Sequence, residues 1–385
     1  MLIFSLMEWC GIAMTGHLVI HKMKRPMSGE SIYSMKNIRE IKWYEHIRLR
    51  PGMYVGQVNE YGFVGMLKEL LSAILVNTGT NMLVIELRDE LHASIRFDHV
   101  NTEVQNNWSA WERHLTKSLM IQFFALNALS KTFSITFYDQ FAQVIAEQDF
   151  NRGVQNQETE IEAIKCSAFE VVFQLDRDIW GKSFQWNSNY ITHHIREYAY
   201  LHKSVKFELK YKVDSEACRN IYYFRNGLKD KIQIEFMNGP IGSDLDTWID
   251  EQLAGFYLEA AFTLRLYSED ESYLRSYVND CHTSENGTHV DGLLQGMGNG
   301  ILKYLEKNGL TTDCQITEQG IREHLIAIVN IRMEAPVFSG CTKNKLANPE
   351  VTEPIASYVA ELLFRKMEAD PKAAESLISA FSIYN

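Results

Sequence analysis

The sequence has little proline and no paired cysteines. Its 7 prolines in 385 residues exclude a proline-rich or collagen-like chain. Its six cysteines lie far apart, with no CxxC pair and no cysteine–histidine pair at the spacing of a zinc site. They are Cys10, Cys166, Cys218, Cys281, Cys314 and Cys341. This pattern is typical of a reducing compartment, so we expect a cytoplasmic protein without a metal site.

Basic residues are also fewer than acidic residues. The chain has 38 lysines and arginines against 49 acidic residues, and its net charge is −11. A protein that coats nucleic acid needs a concentrated basic face for the phosphates. We therefore expect any contact with DNA to be indirect, through a partner, or confined to a local patch such as Lys42, Arg48 and Arg50.

The first twenty residues are apolar but lack the features of a signal peptide. Glu8 and His17 interrupt the run, and the basic cluster at residues 21–25 follows it instead of preceding it. We expect residues 1–32 to be an extension that is disordered or not native. A start of translation at Met23, Met27 or Met35 is one reading that would make it non-native. A membrane anchor is the less favoured alternative, and we expect no contact with a membrane.

The remaining composition is that of a folded chain, with 46% hydrophobic and 23% charged residues. A length of 385 residues suits two domains, because a single core rarely grows past about 250–300 residues. The turn-rich stretch at residues 238–243 predicts a boundary that divides a domain at 33–240 from one at 241–385.

Both domains are predicted to mix strands and helices, because runs of period two alternate with runs of helical period. In the first domain the strands are predicted at Met82–Arg88, Ala93–Asp98, Phe133–Tyr138, Phe169–Leu175, Lys206–Val213 and Asn220–Arg225, and the helices at Gly62–Val76, Trp108–Leu129 and Tyr190–His202. In the second domain the strands are predicted at Leu258–Tyr267, Tyr273–Asn279 and Leu325–Met333, and the helices at His289–Lys307, Glu350–Met367 and Lys372–Phe381.

The most distinctive string is RPGMYVG at residues 50–56. Physically it is a helix ended by a Pro-Gly turn, with Gly56 free to adopt a positive φ. The string resembles the RPGMYIG signature of the B subunits of type IIA DNA topoisomerases, gyrase B and topoisomerase IV B.

Other segments resemble the same family in the same order. They are YSMKNI at 33–38, similar to an arm that the family swaps between subunits; KELLSAI at 68–74, similar to its first nucleotide-binding helix; NALS at 127–130, similar to the end of its phosphate-loop helix; Tyr277–Asn279 with Gly287–His289, similar to its transducer signature; and Ala335–Leu346, similar to its P-x-F-x-x-Q-T-K-x-K-L string.

The resemblance covers residues 33–385 and implies an α+β fold. A GHKL (Bergerat) ATPase-like α/β sandwich would be followed by a ribosomal-protein-S5-like transducer domain. The metal-binding TOPRIM domain that follows the transducer in full-length B subunits is absent from the sequence, so we expect no DNA cleavage by this chain alone.

The resemblance also assigns candidate site residues. Glu69 matches the glutamate that orients the attacking water, whereas the asparagine that holds Mg²⁺ in the family falls on Ala73. Asn77, one helical turn further, is a poor substitute because it lies about 6 Å away along the helix axis. The nucleotide contacts implied by the family fall on Tyr33 of the arm and Asp98, and on Lys343 for the γ-phosphate.

Several nucleotide-binding features are missing from the sequence. Asp98 matches the adenine-reading aspartate only with a one-residue shift, and the Gly-x-Gly that follows it in the family is lost. The phosphate loop falls on residues 117–124, which contain no glycine, and the Gly-Thr pair of the next adenine strand falls on Ala168 and Phe169. Bulky side chains there would block close approach of the backbone to phosphates.

We therefore expect a pseudo-ATPase that binds neither ATP nor Mg²⁺ and acts as a dimerising or partner-binding module in DNA topology. Its expected partner is another copy of itself or a full-length topoisomerase B subunit, with the A subunit as a further possibility. The alternative is an active ATPase half of a type II topoisomerase that uses ATP and Mg²⁺.

A third hypothesis is that a different ligand, or DNA, binds in the vacated pocket. Phe97, Phe123, Phe124 and Phe169 would make such a pocket apolar. We favour the simpler interpretation that these rings fill the pocket as core.

Overall fold

A computed structural model describes residues 17–21, 38–104, 117–156, 164–236, 245–264, 273–310 and 316–383. Its contacts divide the chain into two compact units. The first unit comprises Met1–Ala199 and Ser204–Tyr223, and the second comprises Tyr200–Lys203 and Phe224–Asn385. The predicted nucleotide contact Tyr33 lies outside the described residues.

The first unit contains ten strands and six helices among the described residues. In chain order they are β1 (His17–His21), β2 (Ile38–Lys42), α1 (Trp43–Leu49), α2 (Gly52–Val55), α3 (Glu60–Thr78), β3 (Met82–Leu87), β4 (His92–Val104), α4 (Lys117–Leu129), β5 (Ser130–Tyr138), β6 (Val144–Asn151), β7 (Val154–Gln155), β8 (Ile164–Leu175), α5 (Arg177–Trp180), α6 (Ser188–Leu201, whose last two residues are assigned to the second unit), β9 (Lys206–Val213) and β10 (Glu216–Tyr222).

Eight of these strands form one sheet, in the order β10-β9-β3-β4-β8-β5-β6-β7. Only β3 and β9 run parallel among the described pairs of this sheet. The remaining two strands, β1 and β2, form a separate antiparallel pair. Part of the predicted N-terminal extension therefore pairs with the chain that follows it.

The eight-stranded sheet has an apolar face and a charged face, because successive side chains of a strand point to opposite sides. Phe97 on β4 and Phe173 on β8 belong to the apolar face and are each 1% exposed. Helix α3 packs there, with the ring of Phe63 lying 6.3 Å from that of Phe173. The charged face carries Arg96 and Glu170. We call the two sides the helix face and the outer face.

The second unit contains five strands and five helices among the described residues, besides a short 3₁₀ turn at Pro349–Val351. They are α7 (Leu228–Phe236), β11 (Thr247–Leu253), β12 (Phe256–Leu264), β13 (Tyr273–Val278), β14 (Cys281–His282), α8 (Thr288–Lys307), α9 (Glu318–His324), β15 (Leu325–Arg332), α10 (Thr352–Ala369) and α11 (Pro371–Ile383). The strand order is β11-β12-β15-β13-β14, with β13 parallel to β15.

Helices α8 and α10 pack closely because glycines line their contact. A Cβ added to Gly296 of α8 would lie 2.7 Å from the carbonyl oxygen of Ala356 and 2.7 Å from Cβ of Val359. Gly292 and Gly300, one turn before and after, approach α10 in the same way. This packing forms the main core of the second unit together with one face of its sheet.

The mixed strands and helices agree with the predicted α+β class. The strand predicted at Lys206–Val213 has those bounds in the structure. The strand predicted at Asn220–Arg225 instead runs from Glu216 to Tyr222. The reason is a tight hairpin, in which Asp214 and Ser215 have φ values of 48° and 71° and the pairing begins directly beside the turn.

Ten of the described elements were not predicted from the sequence: β1, β2, α2, α5, β6, β7, α7, β11, β14 and α9. Helix α7 contacts strands of the second unit, so its residues group with that unit although they precede the predicted boundary at 240. The helix predicted from Trp108 is described only from Lys117 onward. No described helix is both long enough and apolar enough to cross a membrane.

Candidate functional site

Glu69 lies on the exposed side of α3, where a glutamine of α4 binds it. Asn59 caps α3 by accepting hydrogen bonds from the backbone N–H groups of Tyr61 and Gly62, so the helix begins nine residues before Glu69. The carboxylate of Glu69 accepts a hydrogen bond of 2.5 Å from Nε2 of Gln122, whose side chain is buried. The sequence did not single out this glutamine as a partner of Glu69.

The next turn of α3 offers no metal ligand. Ala73 is 6% exposed and carries only a methyl group, so it cannot take the place of the family asparagine. The side chain of Asn77 lies outside the described residues. Among the side chains that the structure describes, no group of three or more histidine, cysteine, aspartate or glutamate residues could hold a metal ion.

Asp98 points away from the helices. It follows Phe97 on β4, so the alternation of side chains places it on the outer face. There its Oδ1 accepts a hydrogen bond of 2.9 Å from Nε of Arg96, whose guanidinium lies 4.5 Å from the centre of the Tyr138 ring. The structure therefore places Asp98 on the face opposite the helices, although the resemblance assigned it to the nucleotide and Glu69 on α3 to the attacking water of the same site.

Phenylalanine rings fill the helix face beside this position. The rings of Phe97 and Phe169 lie 4.6 Å apart, and Phe137 packs against Phe169 at 5.5 Å. Phe97, Phe123 and Phe169 are 1%, 1% and 3% exposed, whereas Phe124 is partly exposed and packs on Trp43 at 4.6 Å. The burial of Phe97, Phe123 and Phe169 agrees with the interpretation that these rings are core, whereas Phe124 belongs to it only in part.

The segments that would carry the two glycine loops are regular structure. Strand β4 continues past Asp98 and, after a bulge, pairs Thr102 with Cys166 and Val104 with Ile164. Residues 117–124 belong to helix α4. Beyond the first turn of a helix, backbone N–H groups are engaged with carbonyl groups four residues earlier, so those of residues 121–124 are not available to a phosphate.

Lys343 lies on a loop of the second unit. It is exposed, its φ is 56°, and its N–H donates to the carbonyl of Gly340 at 3.3 Å. The loop around it is fixed by backbone hydrogen bonds from Leu346 N to Asn286 O (3.1 Å) and from Thr288 N to Leu346 O (3.2 Å).

This loop approaches the start of α8 so closely that one position must be glycine. Gly287 has a φ of 132°, and a Cβ there would lie 2.4 Å from the carbonyl oxygen of Leu346. His289, in the first turn of α8, is fully buried, and desolvation lowers its pKa to about 4. Its Nε2 lies 3.4 Å from Oγ1 of Thr283. His289 is therefore a neutral, packed side chain.

Arg48, predicted as part of a basic patch, is instead paired inside the first unit. Its Nη2 lies 2.6 Å from Oδ2 of Asp176, and its Nη1 donates to the carbonyl of Ala128 at 2.8 Å. Arg152 binds the same carboxylate oxygen at 2.8 Å. Burial favours a raised pKa for Asp176, but the hydrogen bonds from Arg152 and Arg48 outweigh it and lower the pKa. Arg48 holds the helix before RPGMYVG in place.

The chain is similar to known bacterial topoisomerase proteins. The DNA gyrase B protein of Helicobacter pylori (strain J99) is 25% identical over 389 residues, which cover 89% of this chain and 47% of the relative. The 43K ATPase domain of Thermus thermophilus gyrase B, solved with an aminocoumarin, superposes with a TM-score of 0.72 at 19% identity, covering 88% of this chain and 95% of that one.

The topoisomerase IV ATP-binding domain of Francisella tularensis, solved with a small-molecule inhibitor, has a TM-score of 0.70 at 21% identity and covers 88% of this chain and 96% of that one. These structures share the fold. The chain spans about half the length of the curated relatives it matches. Residues 188–382, half of the chain, match the family described as DNA gyrase B. The chain belongs to the DNA gyrase B family.

Proposed function

We propose that this chain is a pseudo-ATPase of the gyrase B family that acts as a dimerising or partner-binding module in DNA topology. One observation carries the proposal. At the position of the family's adenine-reading aspartate, the helix face carries the buried ring of Phe97, while Asp98 lies on the outer face. A ring that packs against Phe169 occupies volume that a bound base would need.

The residues present do not fit a magnesium–nucleotide. Ala73 supplies no oxygen for a metal, and Glu69 is engaged with Gln122. The helical segment 117–124 lacks the glycines that let a backbone approach phosphates. The proposal therefore contains no hydrolytic step.

The partner assignment rests on the parts of the chain that keep the family strings. The RPGMYVG segment is anchored through Arg48, and the Lys343 loop is fixed against the start of α8. The relatives are named as subunits, and we extend assembly with further chains to this protein. Its partner would be a second copy or a full-length topoisomerase B subunit, with the A subunit as a further candidate and with DNA reached indirectly in the cytoplasm.

Calorimetric titration of the purified chain with Mg²⁺-AMPPNP tests the proposal. We expect no saturable heat from the wild type and none from Lys343→Ala. Saturable one-site heat that is lost in Lys343→Ala would contradict it. A pull-down with a full-length gyrase B or topoisomerase IV B protein as bait, and with the same bait lacking its swapped arm as control, tests the partner assignment.

An active ATPase is the second candidate, because two family residues are retained with exposed side chains. Glu69 projects from α3, and Lys343 projects from its loop in the second unit. If this candidate is correct, a nucleotide at a hundred times its Kd should add ~2.7 kcal/mol to the free energy of unfolding. Thermal unfolding with and without Mg²⁺-AMPPNP measures that difference, and an unchanged midpoint would exclude it.

A further inference from the structure

The five-stranded sheet of the second unit has two unequal faces. One face packs on α8 and α10 and forms the large apolar core. The other face carries a much smaller apolar cluster, which includes Leu228 and Ile232 of α7 and Ile328 of β15. Two segments lie over this smaller cluster, residues 200–203 and residues 224–236. We call these two segments the cover.

Polar side chains are buried beneath the cover. Glu259 and Thr263 of β12 and Asn330 of β15 are 4%, 0% and 0% exposed. Oε2 of Glu259, Oγ1 of Thr263 and both amide atoms of Asn330 have no hydrogen-bond partner among the described residues. Glu259 and Asn330 are direct neighbours in the antiparallel register. A buried polar group without a partner opposes burial, because water would solvate it.

The cover is held at its rim by several polar contacts, which include ion pairs of His202 with Asp280 and of Lys203 with Asp250. The backbone N–H of Leu228 donates to Oε1 of Glu259 at 3.2 Å, and Nη2 of Arg332 donates to the carbonyl of Leu201 at 2.5 Å. Nζ of Lys203 lies 2.8 Å from the hydroxyl of Tyr257. These contacts hold the edges, whereas Oε2 of Glu259, Oγ1 of Thr263 and the amide of Asn330 gain no hydrogen bond from closure.

We propose that the cover opens as a local flap while the α8 and α10 face of the same sheet stays folded. Opening would give water to Glu259, Thr263 and Asn330 and would expose only a small apolar cluster. Opening on the other side would instead expose the main core of the unit. Local opening follows the part of a fold with the least apolar burial, so the cover is the segment of this unit that releases first.

Two neighbouring alanines of β12 provide a matched test. Ala261 lies under the cover and is 2% exposed, whereas Ala260 faces α8 and α10 and is 1% exposed. The full chain carrying Ala261→Cys or Ala260→Cys would be treated with a thiol reagent under native conditions, and labelling would be followed at each site by peptide mass. We expect Ala261→Cys to react faster by a factor on the order of ten or more.

Asn330→Leu in the Ala261→Cys chain tests the physical cause. This substitution removes the buried amide at similar volume, so labelling at position 261 should slow several-fold. Hydrogen exchange of the unsubstituted chain provides a second measurement, in which amides of residues 228–236 should exchange faster than those of residues 292–305. Equal labelling of the two cysteines, or exchange in α7 as slow as in α8, would overturn the proposal. No slowing by Asn330→Leu would overturn its cause.

Discussion

The two units differ in the kind of contact that their family-like residues make. In the first unit, two positions that the family resemblance assigns to the nucleotide site carry apolar side chains: Phe97 is packed as core, and Ala73 offers only a methyl group. In the second unit, the retained strings make close backbone contacts, such as the one between Gly287 and Leu346. The strings that are retained are therefore those that the fold itself requires.

Phe97 and Asp98, which are neighbours on β4, provide the largest expected difference in unfolding free energy. Phe97→Ala should cost about 3–5 kcal/mol of unfolding free energy, because a buried ring is removed from a packed face. Asp98→Ala, the matched control on the outer face, should cost about 0–1 kcal/mol, because its ion pair with Arg96 is partly solvated. Urea unfolding of both variants measures the difference. Similar costs would mean that Phe97 is not core.

The same pair of residues marks where prediction from sequence stops. Strand β4 was predicted at Ala93–Asp98 from its alternating pattern, and these residues lie within the observed strand His92–Val104. Which face each residue takes depends on register, and a shift of one residue moves a side chain to the opposite side. Placing Asp98 on the family aspartate required such a shift, so the sequence could not decide whether Asp98 or Phe97 faces the helices.

The elements that were missed share a physical cause. Helix α7 (LKDKIQIEF) buries a lysine, Lys231, on its sheet side, which breaks the apolar period. Strand β11 is an edge strand among the described residues and exposes Trp248 and Asp250 on one face. A long element with one buried face, such as α8, has a clear apolar period. A short element at a sheet edge or over a polar face does not.

The ion pairs around Asp176 give the next largest expected effect. Asp176→Asn should cost about 3 kcal/mol at neutral pH, because it leaves Arg48 without the buried carboxylate. The pKa of Asp176 is lowered in the folded chain, so its stabilisation is full above its ordinary value of 3.8 and is lost as the pH falls towards the folded value. The difference in unfolding free energy between the wild type and Asp176→Asn should therefore decrease at acidic pH.

Chemical unfolding of wild type and Asp176→Asn between pH 7 and pH 3 would measure this gap. Asp178→Asn is the matched control, because Asp178 is largely exposed and shares only the outer contact with Arg152. A gap that grows as the pH falls would contradict the assigned role of Asp176.

In the second unit, Gly287→Ala should destabilise the chain by about 2 kcal/mol, because an added Cβ meets the backbone of Leu346 at a φ of 132°. Thermal unfolding measures the loss. Gly309→Ala is the control with positive φ but open space around the added Cβ, and it should cost less. Equal losses would mean that backbone strain alone, rather than the close approach, requires the glycine.

The smallest effect is expected at Lys343, which is exposed on the loop that Gly287 supports. Lys343→Ala should change the unfolding free energy by no more than about 0.5 kcal/mol, because no buried contact is removed. If the loop has kept its shape without its phosphate chemistry, the variant should match the wild type both in thermal stability and in its response to Mg²⁺-AMPPNP. A nucleotide response that depends on this lysine would mean instead that Lys343 has kept its phosphate chemistry, and the contrast between the two units would fail.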